Sequence, residues 1–188
     1  MDIKALDLPG VLVLCPRRFA DKRGYFFESY SEKVFHTAGI TAKFVQDNQS
    51  YSAERGTIRG LHFQKPPHAQ AKLVRVLQGS VFDVAVDVRA GSPHYGRWAG
   101  ATLTAEGREQ IFVPRGFAHA FCTLEPDTVV AYKVDDVYAP ETEGGLIWND
   151  PDLAIDWPVA AKDVVLSDKD LKLGSLAEFV SPFAYEGS

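Results

Sequence analysis

The strictest constraint on the fold is the alternation from Val81 to Val88, where every even position is apolar and both aspartates, Asp83 and Asp87, stand on odd ones. Side chains of an extended chain point to opposite faces in turn, so a period of two marks a half-buried antiparallel β-strand. Lys72 to Gln78 is a second such run, and Gly79-Ser80 between the two has the length of a hairpin turn. Other β-rich stretches cover 11–14, 25–30, 43–52, 57–64, 98–103, 110–113, 119–124 and 128–134, with turn chemistry between them at short intervals. One helix is expected before the C-terminal third, Ser31 to Ala38, with Ser31 as N-cap and Gly39 as its stop. Past Asn149-Asp150-Pro151 the pattern loosens into short helices and loops expected to pack over one end. Many short strands punctuated by Gly and Pro predict an all-β sandwich or barrel, and a double-sheet jelly roll is the version that encloses a pocket. No repeat or low-complexity linker interrupts residues 1–188, which predicts a single domain.

Composition narrows the function. The chain has 188 residues, enough for one well-buried core, and a formal net charge of −5, which disfavours extended polyanions and anionic membrane surfaces as partners. Two cysteines, Cys15 and Cys122, are too few for a secreted disulfide framework. The first apolar run, Val11 to Cys15, is too short for a signal core or a membrane span. A cytoplasmic protein without nucleic-acid or membrane partners is expected.

Polar residues inside β-like segments carry the chemical information. Arg59-Gly60-Leu61-His62-Phe63-Gln64 places an arginine, a histidine and a glutamine in a run that could have been apolar, with His62 and Gln64 on one face. Lys72 shares a face with Val74 and Val76, His119 follows Pro114-Arg115-Gly116-Phe117-Ala118, and Tyr132 lies mid-strand. Taken singly, a strand histidine is more often hydrogen-bonded core, and a buried tyrosine is more often packing. His36, His68 and His94 are read as surface residues. A metal-binding barrel needs a closely spaced histidine pair, whereas His62 is followed on its face by Gln64 and the next strand starts with a cation, so neither metal nor other cofactor is expected. If the strands line one barrel, an imidazole base, an ammonium for an oxyanion and a phenol acid suit proton abstraction beside a carbonyl and reprotonation on the other face. Asp168 is the candidate to orient the base.

Arg59 to Gln64, Pro114 to His119, Tyr132-Lys133 with Tyr138-Ala139-Pro140-Glu141, and Trp148-Asn149-Asp150-Pro151 resemble the dTDP-4-dehydrorhamnose 3,5-epimerase family from about Leu12 to about Asp170. The resemblance implies a metal-free, homodimeric cupin-type jelly roll that converts dTDP-4-dehydro-6-deoxy-D-glucose to dTDP-4-dehydro-L-rhamnose. It assigns His62 as base, Asp168 as its partner, Tyr132 as acid and Lys72 to the C4 oxygen. Arg59 and His119 correspond to the sugar and diphosphate site, and Arg23, Phe26, Glu28, Gln46, Asp47, Asn48, Glu143 and Lys169 to further substrate contacts, with the stretch from Arg23 to Glu28 reaching across the dimer. A single-centre epimerase, a non-catalytic sugar-nucleotide module and a metal-dependent cupin are the alternatives. The family usually has Gly where this chain has Ala120, a methyl expected at the pocket floor. Arg59 and His62 stand three apart, so both can face the pocket only if the strand bulges near Gly60.

Overall fold

A computed structural model describes residues 1–187. In chain order the strands are β1 (Asp2–Ala5), β2 (Leu12–Cys15), β3 (Phe19–Asp21), β4 (Gly24–Phe26), β5 (Gln46–Ser52), β6 (Ile58–Gln64), β7 (Lys72–Gln78), β8 (Ser80–Asp87), β9 (Trp98–Thr104), β10 (Gln110–Val113), β11 (Phe117–Thr123), β12 (Thr128–Val134) and β13 (Glu143–Gly145). Helix α1 (Glu32–Thr37) lies between β4 and β5, and short 3-10 turns occur in the C-terminal third. A six-stranded sheet in the order β1-β2-β10-β7-β12-β5 faces a five-stranded one, β13-β6-β11-β8-β9, as a cupin-like jelly roll, and β3 and β4 form a separate hairpin.

The turn at Gly79 is not a hairpin: β7 belongs to the first sheet and β8 to the second. The chain folds over the sandwich edge at this glycine, whose φ is +77° and whose missing Cβ would lie 2.5 Å from Thr128 Oγ1. Only a residue without a side chain fits that corner.

The alternation in β8 is correct in period but not in burial. Val81 and Ala85 pack between the sheets with Val74, Val76, Phe117 and Phe121, so the face carrying Asp83 and Asp87 is interior, and both aspartates are 0% exposed. The even face, Val84, Val86 and Val88, is covered by Leu153 and Phe183, with Ile155, Trp157 and Phe179 beside them. The C-terminal third thus forms a third layer, and β8 is buried on both sides. Each large apolar side chain sealed this way contributes roughly 1.5–3 kcal/mol.

Ser31 stands at the N-cap of α1 in extended conformation, although its side chain makes no capping bond. Phe35 and Ile40 from this region cover Leu14, Leu73 and Phe112 on the outer face of the six-stranded sheet. The β3–β4 hairpin instead stands free, with Phe19, Tyr25 and Phe26 more than half exposed.

The bulge near Gly60 is present. His119 pairs with His62 and Phe121 with Arg59, so two steps on β11 match three on β6. Directly paired residues share a face, which turns Arg59 and His62 to the same side of the sheet. Gly60 has φ +131°, and a Cβ there would lie 2.4 Å from Ala120 Cβ and 2.6 Å from His119 O.

Candidate active site

Between the sheets opens a cavity of about 420 Å3 lined by Arg59, His62, Lys72, His119, Tyr132 and Asp170, among others. A smaller lobe of about 200 Å3 continues past His62, Lys72 and Tyr132 to Gln46, Asn48, Tyr138 and Glu143. Four strands therefore supply the groups expected to act together. β6 and β11 present His62 and His119 from one sheet, and β7 and β12 present Lys72 and Tyr132 from the other.

His62 is half-buried, and its Nε2 lies 2.6 Å from Asp170 Oδ1. An ionised carboxylate only accepts, so Nε2 is the donor and Nδ1 is left with a lone pair when the ring is neutral. Burial opposes ionisation of Asp170, but the hydrogen bond and charge of His62, with Ser167 and Lys169, hold its carboxyl below the usual range. This arrangement fixes the imidazole tautomer, the requirement for a directional base.

Lys72 reaches the carbonyl oxygen of His62 at 3.4 Å, and no carboxylate among the described residues is in direct contact with it. Burial pushes its ammonium down to about 8, against the pull of Asp83 and Glu143. Burial likewise raises the Tyr132 phenol, with Arg59 acting the other way, so the phenol keeps its proton at neutral pH. His119 is buried, and its Nε2 contacts both oxygens of Asp83, at 2.9 and 3.0 Å. At the rim, Arg59 donates to Ser52 Oγ and the Tyr51 carbonyl, and Lys169 from the C-terminal segment pairs with Glu143 of β13. Among the described residues no group of three or more His, Cys, Asp or Glu side chains is arranged to hold a metal ion. No helix among them is long and apolar enough to cross a membrane.

A family model described as dTDP-4-dehydrorhamnose 3,5-epimerase matches residues 5–178. The chain belongs to the dTDP-4-dehydrorhamnose 3,5-epimerase family. It is 49% identical over 185 residues to the dTDP-4-dehydrorhamnose 3,5-epimerase of Sinorhizobium fredii, covering 98% of this chain and 94% of the relative. Among solved structures, the Bacillus anthracis enzyme with TDP and PPi bound is 52% identical with a TM-score of 0.88, covering 93% of this chain and 100% of that one. The Legionella pneumophila epimerase in complex with dTDP-4-keto-L-rhamnose is 42% identical with a TM-score of 0.94, covering 99% of each chain.

Within this epimerase-family site one expected partner is displaced. Asp168 is exposed and makes no contact with His62; Asp170, 4% exposed, takes that place. A single parallel bridge joins Thr57 to Val165, and beyond it the chain turns at Asp168 and Lys169 into a 3-10 turn, Asp170–Lys172. Asp170 opens that turn with its N–H donating to Ser167 Oγ, and its carboxylate meets His62 while Asp168 stays exposed. Gln46 and Asn48 point from β5 into the smaller lobe, whereas Asp47 between them faces outward and pairs with Lys133 Nζ at 2.7 Å. Arg23, Phe26 and Glu28 are exposed on or beside the β3–β4 hairpin and do not line this chain's cavity; Arg23 pairs with Asp21. Ala120 is not at the pocket floor either. It packs in the cluster beneath the C-terminal layer, against Gly60.

The structure adds site residues to which the sequence assigns no role. Asp170 and Ser50 line the main cavity, Tyr138 lines the smaller lobe with its ring half exposed, and Asp83 lies behind His119. The only sequence signal for Asp83 was its place in a strong strand pattern. A half-buried strand puts its charged positions on the open face, and the layer that covers the other face instead is remote in sequence.

Proposed function

We propose that this chain inverts C3 and C5 of dTDP-4-dehydro-6-deoxy-D-glucose to give dTDP-4-dehydro-L-rhamnose. The observation that carries the reading is a His62–Asp170 pair facing Tyr132 across a cavity, with the Lys72 ammonium beside both. Both stereocentres flank the C4 ketone, so one enolate site serves both. His62 Nδ1 takes the proton from C3 or C5, and the C–H electrons move to the C4 oxygen, where Lys72 stabilises the charge; removing such a donor costs on the order of 3 kcal/mol in the barrier. Tyr132, on the opposite sheet, returns a proton to the other face of the carbon, and both residues reset by exchange with water. No metal or cofactor takes part. Arg59, Lys169, Gln46 and Asn48 offer donors around the two lobes for the diphosphate and nucleoside, with Glu143 positioning Lys169.

The working form is a homodimer of single-domain chains, residues 1–188, in the cytoplasm. Its support is the free-standing β3–β4 hairpin, whose exposed Phe26 and Arg23, with Glu28 just beyond, have no place in their own chain's site and suit a partner's nucleotide. Incubation with the substrate in D2O tests the reaction. Deuterium at both C3 and C5 is expected; label at one centre would make the chain a single-centre epimerase, and none would remove the enzymatic reading.

A further inference from the structure

Asp83 is fully buried on β8 and has no part in the proton transfers above. We propose that Asp83 is a positioning residue that locks the tautomer of His119, so that His119 offers a lone pair to the cavity and selects a sugar hydroxyl rather than a diphosphate oxygen. The proposal rests on the reading of the chain as acting on a dTDP-sugar.

His119 Nε2 sits within hydrogen-bond distance of both Asp83 oxygens, at 2.9 and 3.0 Å. A carboxylate has no proton to give, so the ring must place its N–H there. The question is whether Nδ1 also carries a proton. Burial disfavours the imidazolium, and the charges of Lys72 on β7 and His62 on β6 add to that effect. Asp83 opposes both, yet the net shift is downward, towards the neutral ring. Phe121, two residues along the same strand, closes the remaining side with an apolar ring. Nδ1 makes no hydrogen bond among the described residues, and the ring lines the cavity. What a ligand meets is therefore an acceptor. A sugar hydroxyl can donate to it, whereas a phosphate oxygen offers only a second lone pair and negative charge. The diphosphate is left to the cations at the rim.

Replacing Asp83 by Asn keeps the size of the side chain but allows either amide atom to face the ring, which releases the tautomer. Calorimetry with dTDP and with dTDP-glucose, which has hydroxyls but no ketone to react, separates the sugar contribution from the nucleotide contribution. Asp83→Asn is expected to leave the Kd for dTDP within about twofold and to weaken dTDP-glucose roughly tenfold, the scale of one lost hydrogen bond. Equal weakening of both ligands, or of neither, would overturn the proposal. A second measurement needs no folded variant. In 15N-histidine spectra of the wild-type protein at pH 7, His119 is expected as the neutral ring protonated at Nε2; a proton at Nδ1 would overturn the assignment. A wild-type protein that bound neither nucleotide would instead remove the dTDP-sugar reading itself.

Discussion

Two aspartates separated by one residue have opposite surroundings: Asp168 is exposed, and Asp170 is buried against His62. Removing the charge from Asp170 deprives the base of its orienting acceptor, so Asp170→Asn is expected to lower kcat by roughly 100-fold or more, the scale of general-base catalysis. Asp168→Asn should leave kcat within about twofold, and steady-state kinetics on the two variants separates them. Lys72 gives a pH signature. Its native ammonium titrates near 8, so kcat/KM of the free enzyme should fall as pH rises through that value and the oxyanion partner is lost. The same depression costs stability. Below pH 8 both native and unfolded lysines are charged and the penalty is complete, and between about 8 and 10.5 it fades because the native amine is already neutral. At about 1.4 kcal/mol per pKa unit, and discounting for water in the cavity, the penalty is about 2–3 kcal/mol. Lys72→Met should therefore be inactive yet melt higher than wild type at pH 7, with the gap narrowing towards pH 10 in thermal melts. Residue identities such as His62, Lys72 and Tyr132 were legible because polar side chains interrupt strand patterns. The choice between Asp168 and Asp170 was not, since it depends on a bridge between Thr57 and Val165 that no local pattern records.

The elements show the same division between local and remote causes. β10 and β12 coincide with the runs at 110–113 and 128–134, and α1 falls within 31–38, because turns, alternation and helix stops are written locally. β1, β3 and β13 were not anticipated; they are short pieces whose strand character comes from pairing with neighbours. The two-sided burial of β8 was hidden for a related reason, since residues 153–183 provide its outer cover. The bulge in β6 was legible as a conflict, because Arg59 and His62 could not share a face without it. That bulge leaves no room at Gly60, where a methyl would meet Ala120 and the His119 carbonyl at about 2.4–2.6 Å with φ at +131°. Gly60→Ala is therefore expected to destabilise the protein by about 2–4 kcal/mol, combining backbone strain with overpacking. Urea unfolding measures it, and a loss below about 1 kcal/mol would show that the strand pairs in another register.

For the whole molecule, a formal charge of −5 coexists with a cavity that holds Lys72 and is rimmed by Arg59 and Lys169. Net charge disfavours extended polyanions and does not bear on one diphosphate, whose affinity follows the local field. The exposed hairpin makes a prediction at the same scale. If Arg23 serves the partner's site, then co-expressing a His62→Asn chain with an Arg23→Ala chain restores activity, because a mixed dimer contains one site with both wild-type groups. Random pairing gives about a quarter of wild-type activity. Activity no higher than in either variant alone would place the hairpin in its own chain's site.

The bridge between Thr57 and Val165 and the turn that follows it divide the chain into stretches with different tolerance for added or lost residues. Between Gln64 and Val165 the connections can lengthen without moving the base from its partner, because the bridge at Thr57 and Val165 resets the alignment. Within 166–169 one inserted residue breaks the turn closed by the Asp170 N–H to Ser167 Oγ and Leu171 N–H to Ser167 carbonyl bonds, and takes the Asp170 carboxylate away from His62. Variation in chain length is thus permitted almost anywhere along the outer loops, and forbidden over a few residues far in sequence from the histidine they serve.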